Sequence, residues 1–296
     1  MRNPFTHLPI TGWYPGHMLK AGRQITQRLR LVDLVVELRD ARIPQTSRNP
    51  LFNRLLKDKP RCLVLTKSDL AAPAATKKWV GILQNEEDVP VLDVDADAGR
   101  NLDRFLDLCR RTIEQHRRRT GARRQQMRLP RIMIAGIPNV GKSTLANRLA
   151  AGQKAEVGPR PGVTKAQQWV RLRSGLELLD TPGVLWPRIE NKVMELKLTL
   201  VGAIKDELIG EELLADFLLW WHQHHHRPLS FSIYLKEIGA DLDIDTLLQA
   251  VGRRRGLLGA GGQIDTYRAA RALLHDFRAG KLGRVTFDVA RDDCIL

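Results

Sequence analysis

Gly136-Ile-Pro-Asn-Val-Gly141-Lys142-Ser143 fits the spacing GxxxxGK[ST]. An apolar run, RIMIA at 131–135, precedes it, and a helical pattern from Lys142 to Ala151 follows. A glycine-rich turn in that context cradles phosphate. The glycines let backbone N–H groups point inward, and the helix N-terminus adds positive potential. Lys142 reaches the β- and γ-phosphates, and the Ser143 hydroxyl is placed to ligate Mg²⁺. Asn139 and Val140 lie inside the loop, and Thr144 follows it.

Two further segments fit the same ligand. Asp180-Thr-Pro-Gly183 follows an apolar strand ending at Leu179, where a carboxylate can hold Mg²⁺ through water. The Gly183 N–H is then placed to contact the γ-phosphate and sense its loss. Between the two lies Gly158-Pro-Arg-Pro-Gly162-Val163-Thr164, which has no periodic pattern and can reorder as a switch does. Thr164 carries the only hydroxyl between Gly152 and Trp169, so it is the candidate to complete the Mg²⁺ shell.

Thr66-Lys67-Ser68-Asp69 ends another apolar run, RCLVL at 61–65. Ligands in such folds sit beyond the carboxyl ends of the strands. The Asp69 carboxylate can accept from guanine N1–H and its 2-amino group, and adenine offers neither. The Lys67 stem can lie along the base. The common form of this motif is Asn-Lys-x-Asp, so Thr66 lacks an amide donor. The segment touching guanine O6 is Asp95-Ala96 or Asp97-Ala98, and the residues alone do not choose.

The elements that must position these groups alternate. Helical patterns at 18–30, near Leu51–Lys57, at 74–84 and from Leu102 to Arg118 separate strand runs at 31–38, 61–65 and 89–94. Two more strands are expected at 168–172 and 176–179. This is an α/β fold with a mainly parallel sheet and helices on both faces. From about Ile189 the strands stop and helical patterns run to the end. The expected division is a nucleotide-binding domain at 1–188 and a smaller all-helical domain at 189–296.

The 296 residues are 43% hydrophobic and 27% charged, ordinary for a soluble protein. No run approaches the ~18 apolar residues of a membrane span. The N-terminus has neither a signal-peptide core nor a transit-peptide pattern, so the expected location is the cytoplasm. Cys62, Cys109 and Cys294 are scattered and suggest neither zinc nor disulfides. The net charge is +15, and residues 117–131 hold seven Arg and no acid. A solvated linker (117–130) and a segment contacting a polyanion are both readings of this run. The basicity of the whole chain favours nucleic acid.

The order of the motifs is unusual, because Thr66–Asp69 precedes Gly136–Ser143. Ras-like P-loop GTPases have the opposite order, so the domain reads as circularly permuted. With GWYPGHMLKA at 12–21, DARIPQTSRNP at 40–50, GPRPGVTKAQQWV at 158–170, DTPGVLWP at 180–187 and RAARALLHDFRAGKLGR at 268–284, nearly the whole chain closely resembles the RbgA/YlqF family of ribosome-biogenesis GTPases. The resemblance implies GTP hydrolysis late in assembly of the large ribosomal subunit, and a C-terminal helical domain on ribosomal RNA. It also implies potassium near Asn139, and His17 as the group that positions water. Val184 holds the place where Ras-like enzymes carry a water-orienting Gln. A monomer is expected, with no membrane partner.

Two other functions compete for the same sequence features. One is an RNA-binding scaffold whose nucleotide only stabilises the fold. The other is a permuted GTPase of the small subunit, whose N-terminal β-barrel and Cys/His zinc site have no counterpart here. His222, His224, His225 and His226 permit a metal site by spacing, but a helix end packed beside Trp220 and Trp221 explains them more simply.

Overall fold

The computed structural model describes residues 3–11, 27–56, 59–121, 128–151, 169–172, 174–179, 189–225, 228–235 and 242–290. Six strands form one sheet: β1 (Leu34–Asp40), β2 (Arg61–Thr66), β3 (Val91–Asp93), β4 (Arg131–Gly136), β5 (Trp169–Arg171) and β6 (Glu177–Leu179). Their order is β3-β2-β1-β4-β6-β5. All neighbours pair in parallel except β5, which is antiparallel to β6 at the edge.

Side-chain alternation sorts the strands onto two faces. Leu34, Val36 and Leu38 of β1, with Ile132 and Ile134 of β4, join a cluster containing Phe105, Cys109 and Ile113 of α3 (Leu102–Arg119) and Leu145 of α4 (Lys142–Ala150). Val35, Met133 and Ala135 face the other way, against Phe52 of α1 (Pro50–Leu55). Leu63 and Leu65 of β2 meet Trp79 and Leu83 of α2 (Pro73–Glu87). Two charges interrupt β1 on that second side and are matched there. Arg39 Nε lies 2.8 Å from Glu37 Oε1, and its Nη2 lies 2.7 Å from Glu87 Oε1.

After residue 189 the described elements are helical: α5 (Lys192–Leu200), α6 (Glu211–His224), α7 (Ile244–Arg255) and α8 (Thr266–Arg278), with short 3₁₀ turns. Asn191, Asp243 and Asp265 cap α5, α7 and α8 by accepting from the N–H three residues on. The buried cluster under α3 and α4 runs on without a break into Leu196, Phe217, Leu218, Leu273 and Phe277 of these helices. At the other terminus Phe5 packs edge-on to Phe217, ring centroids 5.2 Å apart, and Thr11 N–H donates to Glu195 Oε1 at 3.0 Å.

The helical pattern was expected to reach the C-terminus, but α8 stops at Arg278 and residues 281–290 are not helical. They run back over the first third of the chain. Val285 N–H donates to Leu70 O (3.0 Å) and Phe287 N–H to Arg42 O (2.7 Å). Asp288 gathers donors from Gln45 N (2.8 Å), Thr46 N (2.7 Å), Thr46 Oγ1 (2.7 Å) and Lys197 Nζ (2.9 Å). Partners so distant in sequence leave no periodicity to read.

The described histidines of the cluster, His222, His224 and His225, are used in packing. Buried His222 accepts the Leu229 N–H on Nδ1 at 3.1 Å. His224 stacks on Trp220 and His225 on Trp221, at 4.6 and 4.2 Å between centroids. Among the described residues no group of three or more His, Cys, Asp or Glu is placed to hold a metal. His226 lies outside the described residues.

Candidate nucleotide site

The phosphate loop joins central strand β4 to α4. Gly136 ends the strand against β1, and a Cβ there would meet Leu38 O at 2.7 Å, so backbone contact excludes any side chain. Asn139 and Gly141 have φ of +55° and +100°, turning the loop into the helix start. No acidic residue lies in the first turn of α4, so its positive end faces the loop uncompensated. Lys142 is buried, and its ammonium donates to Ile137 O (2.6 Å) and Gly136 O (3.3 Å). Ser143 and Thr144 are exposed on the same turn. The Ser143 hydroxyl is a hard oxygen ligand of the kind Mg²⁺ takes, so this position fits the ion.

Thr66–Asp69 leaves the carboxyl end of β2 and meets this loop from the side. Thr66 Oγ1 donates to Val140 O at 2.6 Å, with Arg39 O at 3.1 Å. The hydroxyl thus ties the end of β2 to the phosphate loop. Lys67, at φ +55°, sends Nζ to Asn139 O at 2.7 Å. Ser68 is buried and accepts from Arg100 Nη2 at 2.8 Å. Asp69 is half-buried, and burial pulls its carboxyl above the ordinary value, with the like charges of Asp95 and Asp97 adding to it.

Asp95–Arg100 forms a tight loop beside Ser68. Residues 95 and 100 bridge, and Asp95 Oδ1 accepts from Ala98 N at 2.9 Å. Arg100, which ties this loop to Ser68, carried no motif signal in the sequence. Nor did Gly202, in the turn after α5, whose carbonyl accepts from Asn139 Nδ2 at 2.6 Å. The structure therefore joins Thr66 to Val140 and Lys67 to Asn139, while Lys142 bonds within its own loop to Gly136 O and Ile137 O. His17, Thr164, Asp180, Gly183 and Val184 lie outside the described residues.

Residues 131–235 match the family model described as 50S ribosome-binding GTPase. A "Ribosome biogenesis GTPase A" of Priestia megaterium is 43% identical over 93% of this chain and 96% of its own length. The chain belongs to the ribosome biogenesis GTPase A family. The family's protein from Thermotoga maritima is 34% identical over 95% of both chains. The "Mitochondrial ribosome-associated GTPase 1" of Mus musculus is 38% identical, covering 94% of this chain and 90% of its own. Among solved structures, GNP-bound YlqF from T. maritima superposes with a TM-score of 0.64 at 31% identity, over 91% of this chain and 97% of that one. The matched region, residues 131–235, contains the loop Gly136–Ser143 described above.

Proposed function

We propose that this GTPase binds precursors of the large ribosomal subunit in the cytoplasm, through ribosomal RNA, and hydrolyses GTP to GDP to leave them. The observation that carries this reading is the match of residues 131–235 to the 50S ribosome-binding GTPase family. The +15 charge and the Arg-rich run at 117–131 support an RNA partner. Among the described residues no helix is long and apolar enough to cross a membrane. We take the protein to act as a monomer.

The proposed roles rest on the sequence motifs and, at Thr66–Asp69 and Gly136–Thr144, on the contacts described above. Thr66, Lys67, Ser68 and Asp69 form the guanine side, and Asp69 accepts from the base. Of the two segments considered for guanine O6, Asp95-Ala96 is favoured, because the Ala98 N–H is already held by Asp95. Gly136 to Thr144 wraps the phosphates, with Lys142 turning from the loop carbonyls to phosphate oxygens. Ser143 and Thr164 would hold Mg²⁺, with Asp180 behind water; the bound ion neutralises charge on the β- and γ-phosphates. Gly183 reads the γ-phosphate. The Val184 side chain can neither donate nor accept, so another group must position the attacking water; the family resemblance gives that role to His17, carried in by the ribosomal particle.

Two contacts would carry the nucleotide state to the helices. One is the connector after Gly183, and the other is the bond from Asn139 to Gly202 O. Arg278 of α8 secures that same turn by donating to Thr199 O and Leu200 O, both at 2.9 Å. A change in the phosphate loop therefore reaches α8 through two bonded groups. With a non-hydrolysable GTP analogue, cosedimentation should show large subunits bound roughly tenfold more tightly than with GDP. Subunits should stimulate turnover in the wild type and fail to do so in His17→Ala. Equal affinity in all nucleotide states would remove the coupling, and full stimulation of His17→Ala would remove that residue's role.

Potassium should also accelerate hydrolysis. The Asn139 amide nitrogen faces Gly202 O, which turns its Oδ1 away from that carbonyl, and an amide oxygen is a suitable ligand for a cation near the phosphates. The expected result is several-fold faster turnover in KCl than in matched NaCl, lost in Asn139→Ala. Equal rates in both salts would show that no cation acts there.

A further inference from the structure

The segment DARIPQTSRNP at 40–50 has so far no part in nucleotide binding. Its first residue, Asp40, ends β1 and stands opposite Thr66 in the parallel register. Asp40 is fully buried. Its Oδ1 accepts from Arg42 N (3.0 Å) and Nε (2.9 Å), and its Oδ2 accepts from Arg42 Nη2 (2.8 Å). The same Oδ2 lies 3.4 Å from Lys67 Nζ, whose other contact is Asn139 O at 2.7 Å. The Lys67 ammonium is thus gripped between a buried carboxylate and the phosphate loop.

The rest of the segment holds that carboxylate still. Ser47 Oγ accepts from Asp40 N (3.1 Å) and donates to Ile43 O (2.6 Å). Arg42 lies over the Phe277 ring at 5.9 Å, and its carbonyl accepts from Phe287 N–H at 2.7 Å, so the C-terminal helix and segment buttress it. Burial pushes the Asp40 carboxyl up, but Arg42 and then Lys67 outweigh it and hold it at about 2. It is ionised throughout the physiological range. For Lys67 the balance is reversed: burial pulls the ammonium down and Asp40 offsets part of that.

We propose that Asp40 is a positioning residue for guanine recognition, holding the Lys67 ammonium on the Asn139 carbonyl so that the Lys67 stem is fixed in place for the base. The inference rests on reading residues 66–69 as the guanine motif. Arg42 supports it one step further out, by keeping Asp40 oriented. The segment following β1 is then part of the nucleotide site, although none of its side chains need touch the nucleotide.

The test is a double-mutant cycle read by titration with fluorescent GTP and GDP. Asp40→Asn should weaken both nucleotides about tenfold, and equally, because the γ-phosphate is not involved. In a Lys67→Met background the same change should cost less than about twofold, because its target is gone. A merely structural effect would lower affinity by the same factor in both backgrounds, and that result, or no loss at all, would overturn the proposal. If Asp40→Asn alone does not fold, Asp40→Asn with Arg42→Met removes both buried charges together and carries the same cycle. Lys67→Met without effect on guanine nucleotides would overturn this inference, whereas unchanged affinity in Asp69→Asn would overturn the motif reading beneath it. Lys67→Met effective beside a silent Asp40→Asn would overturn the inference alone.

Discussion

Asp69→Asn should lose GTP affinity by roughly two to three orders of magnitude, since each of two hydrogen bonds to a charged acceptor is worth about 1.5–3 kcal/mol. The amide keeps an acceptor for guanine N1–H but turns an N–H toward the 2-amino group. Xanthosine triphosphate has a 2-oxo group there, so the variant should prefer it. The fold should survive, because Asp69 is half-buried and faces the like charges of Asp95 and Asp97, which the change relieves. Competition titrations with GTP, xanthosine triphosphate and ATP measure this, and unchanged GTP affinity would refute the assignment. The same environment sets a pH dependence. The accepting form of Asp69 is the carboxylate, and burial raises the pH at which it protonates. On acidification the wild type should lose GTP affinity earlier than an exposed aspartate would dictate.

Lys142→Ala should lower turnover at saturating GTP by at least about 10²–10³-fold, the range for removing one positioned donor to developing charge. GTP affinity should fall more than GDP affinity, because the side chain serves the β- and γ-phosphates. The ammonium also holds the Ile137 and Gly136 carbonyls, so truncation should cost about 1–3 kcal/mol of stability. A thermal melt must therefore accompany the single-turnover assay. A folded Lys142→Ala protein with wild-type turnover would remove Gly136–Ser143 from catalysis.

Much of this site was legible because its signals are local. The phosphate loop needs glycine at fixed spacing between a strand and a helix, and all three elements lie within 131–150. Strands buried on both faces read as apolar runs, which placed β1, β2, β4 and β6 within about three residues of their observed ends. Helix α3 was expected from Leu102 to Arg118 and spans Leu102–Arg119. Motif order alone carried the permutation, because order is a property of sequence and of nothing else.

What the amino-acid sequence could not decide was which distant groups share a bond. Thr66 departs from the usual Asn of its motif, and only the tertiary structure shows its hydroxyl donating to Val140 O at 2.6 Å. Asp40 looked like the opening of a family signature, and only the parallel pairing of β1 with β2 set it beside Lys67. Asn139 carried a cation expectation, while packing of α5 brought Gly202 O to its amide. Asp288 lies near the C-terminus, yet it satisfies the backbone of Gln45 and Thr46. Residue types and short spacings determined the chemistry available to this protein. Register and helix packing, summed over a core continuous from β1 to α8, decided which of those groups meet, because each such bond joins residues far apart along the chain.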